Sequence, residues 1–152
     1  MENDKQIFGA VRALDFEAVR TLLAAGASAN ARNGNGQTPL HIAAGEGSAE
    51  ICKLLIDAGA DVEAEFDFDG SRPLSIAVWR GHEEVCKLLI DHGADYFLKN
   101  SRGDSAALQG QRQGRLPLHE FLLSYIAEKA SAEIYEASGP ATANGEKAGR
   151  GL

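Results

Sequence analysis

The chain repeats itself at a fixed interval, and this restricts its possible folds more than any single motif does. Gln37-Thr38-Pro39-Leu40-His41-Ile42-Ala43 aligns with Ser71-Arg72-Pro73-Leu74-Ser75-Ile76-Ala77 at an offset of 34 residues. Ile51-Cys52-Lys53-Leu54-Leu55-Ile56-Asp57 aligns with Val85-Cys86-Lys87-Leu88-Leu89-Ile90-Asp91 at the same offset, and Leu22-Leu23-Ala24-Ala25-Gly26-Ala27 precedes its counterpart by 33. Gly36, Gly70 and Gly103 open three units, while Gly47, Gly81 and Gly114 divide them. A period near 33 residues describes an array of small units. No single unit buries its own apolar face, so each depends on its neighbours.

Within a unit the spacing predicts two short helices. Thr38 suits the capping position and Pro39 the first helical turn, where a missing N–H costs nothing. Leu40, Ala43 and Ala44 then recur at helical intervals as a buried face. Gly47 ends that helix, Ser48 caps the next, and Ile51, Leu54, Leu55 and Ala58 form its apolar stripe up to Gly59. The glycine- and asparagine-rich stretch at 31–36 predicts a projecting hairpin turn. Small residues at Ala43, Ala44 and Ala77 allow close approach of neighbouring first helices.

These residues resemble the ankyrin repeats. The likeness is carried by Gly36-Gln37-Thr38-Pro39-Leu40-His41-Ile42-Ala43-Ala44, Gly47, Leu54-Leu55 and Gly59-Ala60-Asp61, and it extends over about residues 4–136. It implies an all-α solenoid of stacked helix-turn-helix units with projecting β-hairpin turns. The expected domain covers 1–136, in units of about 4–33, 34–66, 67–99 and 100–136, followed by a disordered tail over 137–152. The first unit lacks the proline motif. The third has Arg72 and Ser75 where the family has Thr and His, so it should lack the hydrogen bonds of Thr38 and His41. The fourth, reading Asp104-Ser105-Ala106-Ala107-Leu108, is the most divergent, as water-facing ends of arrays are. The extra residue behind the 34-residue step is expected within 63–66, where it should lengthen the turn. A final helix is expected at 118–136, with Leu118, Leu122, Tyr125 and Ile126 as a stripe able to close the stack and Pro117 in its first turn.

Composition narrows the function classes. The formal net charge of −7 disfavours nucleic-acid backbone and anionic lipid at long range. No apolar run approaches the roughly 20 residues that a membrane helix needs, and the polar start Met1-Glu2-Asn3-Asp4-Lys5 does not read as a signal peptide, so a cytoplasmic or nuclear site is expected. Cys52 and Cys86 fall on one repeat position. Stacked helices lie about 8–10 Å apart, too far for a disulfide, so both thiols should remain reduced in the core.

The sequence points to no enzyme and implies no cofactor or metal. Asn33-Gly34-Asn35-Gly36 lacks both dinucleotide and phosphate-loop patterns. His82 and Cys86 share helical spacing, but a zinc site needs further ligands. Within the family His41 ties its turn to the neighbouring unit, whereas His92 and His119 are expected on second helices in solvent.

The resemblance implies instead a concave surface made by turn tips and first helices. The tips contribute Arg32, Asn35, Gln37, Glu65, Phe66, Phe68, Asp69, Ser71, Lys99, Arg102 and Asp104. The helices contribute Arg12, Glu46, Trp79, Arg80, Arg112 and Gln113. Aromatic and arginine side chains of this kind dominate protein interfaces, so Phe66, Phe68 and Trp79 are candidate contacts, with Asp69, Arg32, Glu46, Arg80, Arg102 and Arg112 around them. Alternatively, Trp79 folds over Gly45 or onto Arg112 and merely covers the stack, and the charges are a solvated face. The expected role is protein–protein interaction by a monomer, as an adaptor, scaffold or regulatory binding protein. An inhibitor or host-directed effector would use the same groove.

Overall fold

Each helix of the array starts and stops where its local chemistry directs. The computed structural model describes the backbone of residues 2–150 and the side chains of residues 2–138. Eight helices occur among the described residues: α1 (Glu2–Arg12), α2 (Phe16–Ala24), α3 (Pro39–Glu46), α4 (Ala49–Asp57), α5 (Pro73–Arg80), α6 (Glu83–Asp91), α7 (Ala106–Arg112) and α8 (Leu116–Arg150). Side chains of Asp15, Thr38, Ser48 and Ser105 accept backbone N–H groups that open helices α2, α3, α4 and α7. Each thereby satisfies a donor that has no partner inside its helix.

The chain forms two compact units, residues 1–119 and 120–152. In the first, α1, α3, α5 and α7 pack successively side by side, and α2, α4 and α6 form a second layer behind them. The core lies between the layers. Ile7, Val11, Leu40, Ala43, Ala44, Leu74, Ala77 and Val78 enter it from the first helices, and Val19, Ile51, Leu55, Val85 and Leu89 from the second. Cys52 and Cys86 are buried free thiols, each pushed by burial up to about 12. Both behave as small core residues, as their repeat position implies.

Hydrogen bonds between units recur in register. The amide N–H of Thr38 donates to Nδ1 of His41 (3.1 Å), which leaves the ring proton on Nε2 to donate to the Ser71 carbonyl (3.1 Å). One imidazole thus closes its own helix start and holds the next unit. Further out, His82 Nε2 contacts the Gly45 carbonyl at 2.9 Å, and Arg115 donates to the Trp79 carbonyl at 3.2 Å. These two residues stand at one repeat position and grip the same carbonyl of successive first helices. On the opposite edge, Asn30 Oδ1 accepts the Asp61 N–H and Glu63 accepts the Asp95 N–H, both at 2.7 Å.

Several expectations need correction. The projecting turns carry no strand among the described residues and are each closed by a pair of backbone bonds: Asn33 N–H to Gln37 with Gly36 N–H to Asn33, Phe66 N–H to Ser71 with Gly70 N–H to Phe66, and Asn100 N–H to Asp104 with Gly103 N–H to Asn100. The second encloses one residue more than the others, so the insertion lies at its tip, within 67–69, and not within 63–66. The Glu63 and Asn30 bridges show why, since the segment before the tip keeps the register of its neighbour. His119 is not solvated. It is buried, with Nδ1 2.7 Å from the Tyr96 hydroxyl and Nε2 3.2 Å from the Gln111 amide. The Tyr96 hydroxyl passes against Gly110, where an added Cβ would lie 3.2 Å from it, and burial raises that hydroxyl to about 12. His92 caps the end of α6, its Nδ1 2.8 Å from the Leu88 carbonyl.

The last helix begins two residues before the expected start and continues as backbone to Arg150, past the expected end at Glu136. Residues 151 and 152, also assigned to the tail, lie outside the described residues. Within the second unit, the rings of Phe121 and Tyr125 stack at 6.2 Å and Lys129 faces Glu133 at 3.9 Å.

Two glycines two residues apart have opposite requirements. Gly47 ends α3 at φ 79°, and a Cβ there would meet the His82 ring at 2.6 Å. Gly45 is helical, and a Cβ there would make ordinary contact with Ile76 at 3.4 Å. Gly47→Ala is therefore expected to lower unfolding stability by about 1–2 kcal/mol from left-handed strain alone, while Gly45→Ala raises it by about 0.5–1 kcal/mol. Denaturant unfolding of both variants checks the contrast. The buried His41 gives a second prediction. Burial pushes its pKa below the usual value, against the opposing bond to Ser71. The unfolded chain takes up a proton near pH 6.5 while the folded chain resists, so this contribution is complete above about pH 6.5 and falls as the pH drops below it. Urea midpoints between pH 7.5 and 5.5 should fall in the wild type, and His41→Asn should be less stable throughout with a flatter pH response.

Candidate interaction surface

The turn tips and the inner ends of the first helices meet over the second and third repeats. Phe66 stands at the base of the long turn, its ring 6.2 Å from His41 and 6.0 Å from Phe68. Phe68, at the tip of the lengthened turn, is 75% exposed. Trp79 is half exposed on the last turn of α5, with the Arg80 guanidinium 5.1 Å from its ring centroid. Together Phe66, Ile76 and Trp79 wall a recess of about 270 Å³, with Gln37, Asp69 and Gln109 among its polar groups. The expected contacts Phe66, Asp69, Trp79 and Arg80 share this recess, and Phe68 stands at the adjoining tip.

The remaining charged candidates are partly committed elsewhere. Arg32 donates to the carbonyls of Gly36 (2.7 Å) and Glu65 (2.9 Å) and pairs with Asp67 at 3.1 Å. Arg102 donates to the Phe68 carbonyl, and Arg112 pairs with Asp104. Asp69 accepts the Ser71 N–H at 2.9 Å. These tip side chains therefore also hold the turns themselves. Arg32 bonds a carbonyl of its own turn and one just before the second turn, and Arg102 in the third turn bonds a carbonyl of the second. Glu46 remains exposed and lines a smaller recess with Arg12 and Arg80.

Ser75, Ile76 and Gln109 line the main recess but are absent from the expected set. Their signal was available: Ile76 lies one helical turn before Trp79 and matches Ile42 in repeat register. Arg72 was anticipated only as a missing cap, and α5 indeed starts without a side-chain cap. Its guanidinium is instead nearly buried, 3.2 Å from Glu63 and 2.8 Å from Glu65, and it also donates to the Leu98 carbonyl at 3.1 Å. Burial raises the Glu63 pKa, while the Asp95 N–H and Arg72 pull the other way. The second and third turns are thus joined through one side chain.

Among the described residues, no group of three His, Cys, Asp or Glu is placed to hold a metal ion, and no helix is long and apolar enough to cross a membrane. Successive helix pairs packed side by side in two layers, with projecting turns between them, define a repeat solenoid, a class that recognises ligands on its stacked surface. The chain belongs to the ankyrin repeats: the family model of three copies matches residues 7–100. Ankyrin repeats are generic modules for binding other proteins and are typically non-enzymatic. Potassium channel KOR1 of Oryza sativa subsp. japonica is 52% identical over 50 residues, or 33% of this chain. Potassium channel KOR2 of the same plant is 44% identical over 55 residues, or 36% of this chain. The matched stretches span 6% and 8% of those two proteins, so the likeness concerns a small part of each.

The Arg72 junction yields a test. Arg72→Thr supplies the cap typical of the family yet removes the counter-charge of two partly buried carboxylates. It is expected to lower stability by about 1–2 kcal/mol, because a stranded charge outweighs one helix cap. Chemical unfolding at neutral pH measures it, and a stabilised variant would mean the cap dominates.

Proposed function

We propose that the chain acts as an adaptor or regulatory binding protein that docks a segment of another protein in the recess between the first and second turns. The observation that carries this reading is the placement of Phe66, Ile76 and Trp79 around one open recess, with Phe68 exposed beside it. Partly exposed aromatic groups on a rigid scaffold lose little side-chain freedom on association. They also match the residue types that supply most binding energy at interfaces. Inhibition of a target by occupation of its surface would use the same contacts, and the identity of the partner separates the two.

The test compares proteins retained from a cell extract by the immobilised wild type and by the Phe68→Ala/Trp79→Ala double variant. Specific partners are expected to be lost, with affinity reduced about tenfold or more. Because both rings are substantially exposed, unfolding stability should change by no more than about 1–2 kcal/mol. An unchanged set of retained proteins overturns the reading. A collapse of stability would assign the rings to the core.

A further inference from the structure

Five arginines lie around the candidate surface, and their bonding separates them into two sets. Arg32, Arg102 and Arg112 are held by carbonyls or carboxylates of the turns. Arg12 and Arg80 form no ion pair among the described residues, yet they line one recess of about 150 Å³. Its form follows from the repeat register. Arg12, Gly45, Trp79 and Arg112 occupy one position in four successive units, so the absent side chain at Gly45 leaves a notch beneath the two guanidinium groups. Ile42 and Ile76 supply apolar walls. The notch adjoins the aromatic recess, since Gln37, Ile76 and Arg80 line both.

The chemistry of Arg80 makes the notch directional. Its guanidinium lies 5.1 Å from the Trp79 ring centroid. A guanidinium held by an aromatic face keeps its N–H groups in the plane of the fork, free for a carboxylate. Glu46 shares the recess without reaching ion-pair distance of either arginine. Two cations and one anion leave a single net positive charge, which matches one carboxylate better than a dianionic phosphate.

We infer that the notch over Gly45 accepts an aspartate or glutamate side chain of a bound protein segment, seated by Arg12 and Arg80 while a nearby apolar side chain enters the Phe66–Trp79 recess. This rests on the reading of that recess as a protein-binding surface. It goes further by fixing the charge of the occupant and the residues that read it. Glu46 then acts as a selectivity element that weakens a single carboxylate and rejects higher negative charge.

The full chain is tested against arrays of nine-residue peptides of Gly and Ser. Each carries one Leu or Phe and one Glu, separated by zero to four residues, with matched arrays bearing Gln, Lys or phosphoserine in place of Glu. Glu peptides should bind about tenfold more tightly than their Gln counterparts. Arg12→Gln and Arg80→Gln should each remove most of that preference while leaving the Gln peptides unaffected, and Glu46→Gln should increase it. All three positions are exposed, so thermal unfolding should stay close to wild type. The inference is overturned if no Glu peptide binds, if Gln, Lys or phosphoserine peptides bind as well or better, or if the Glu preference survives both arginine changes. Partners lost from the Phe68→Ala/Trp79→Ala variant alongside an absent Glu preference would overturn the carboxylate alone and leave the recess as a binding surface.

Discussion

A buried imidazole holds the centre of the array together. His41 accepts the Thr38 N–H on one nitrogen and donates to the Ser71 carbonyl with the other, so a helix start in one unit and a turn in the next share one rigid ring. Such a bond forms only when the ring is neutral and dry, which requires the core beneath it to be complete. The core in turn exists only because neighbouring units cover one another's apolar faces. Burial and hydrogen bonding therefore support each other here, and the surface above inherits their rigidity.

The third unit reaches the same end by other means. It lacks the Thr and His pair and instead buries Arg72 between Glu63 and Glu65, with a further bond to the Leu98 carbonyl. An ionic junction is less economical than an imidazole, because three charges must be desolvated. It does, however, join the second and third turns, one step further along the array than the units His41 joins. The array is hydrogen-bonded at its centre and ionic beside it.

Much of this was readable in the residues. The 33–34-residue period gave the stacked units, and the family motif gave the cap at Thr38, the turn at Gly47 and the bridge at His41. What escaped depends on contacts between units, which spacing inside a unit does not encode. The insertion lies at the turn tip because Asn30 and Glu63 hold the preceding segment in register. His119 looked solvated because its partner Tyr96 is 23 residues away. The candidate surface was legible in part: Phe66, Asp69, Trp79 and Arg80 do share one recess, but Arg32 and Arg102 also hold carbonyls of the turns, which spacing within a unit does not reveal.

The lengthened second turn also bears on register. Units built to one pattern present nearly equivalent surfaces, and a guest chain could slip along them by one step. Here the tip position reads Asn35, Phe68 and Arg102 in successive units, and only the middle one has the added residue beneath it. A single outsized landmark breaks the translational degeneracy of the stack and gives it one address.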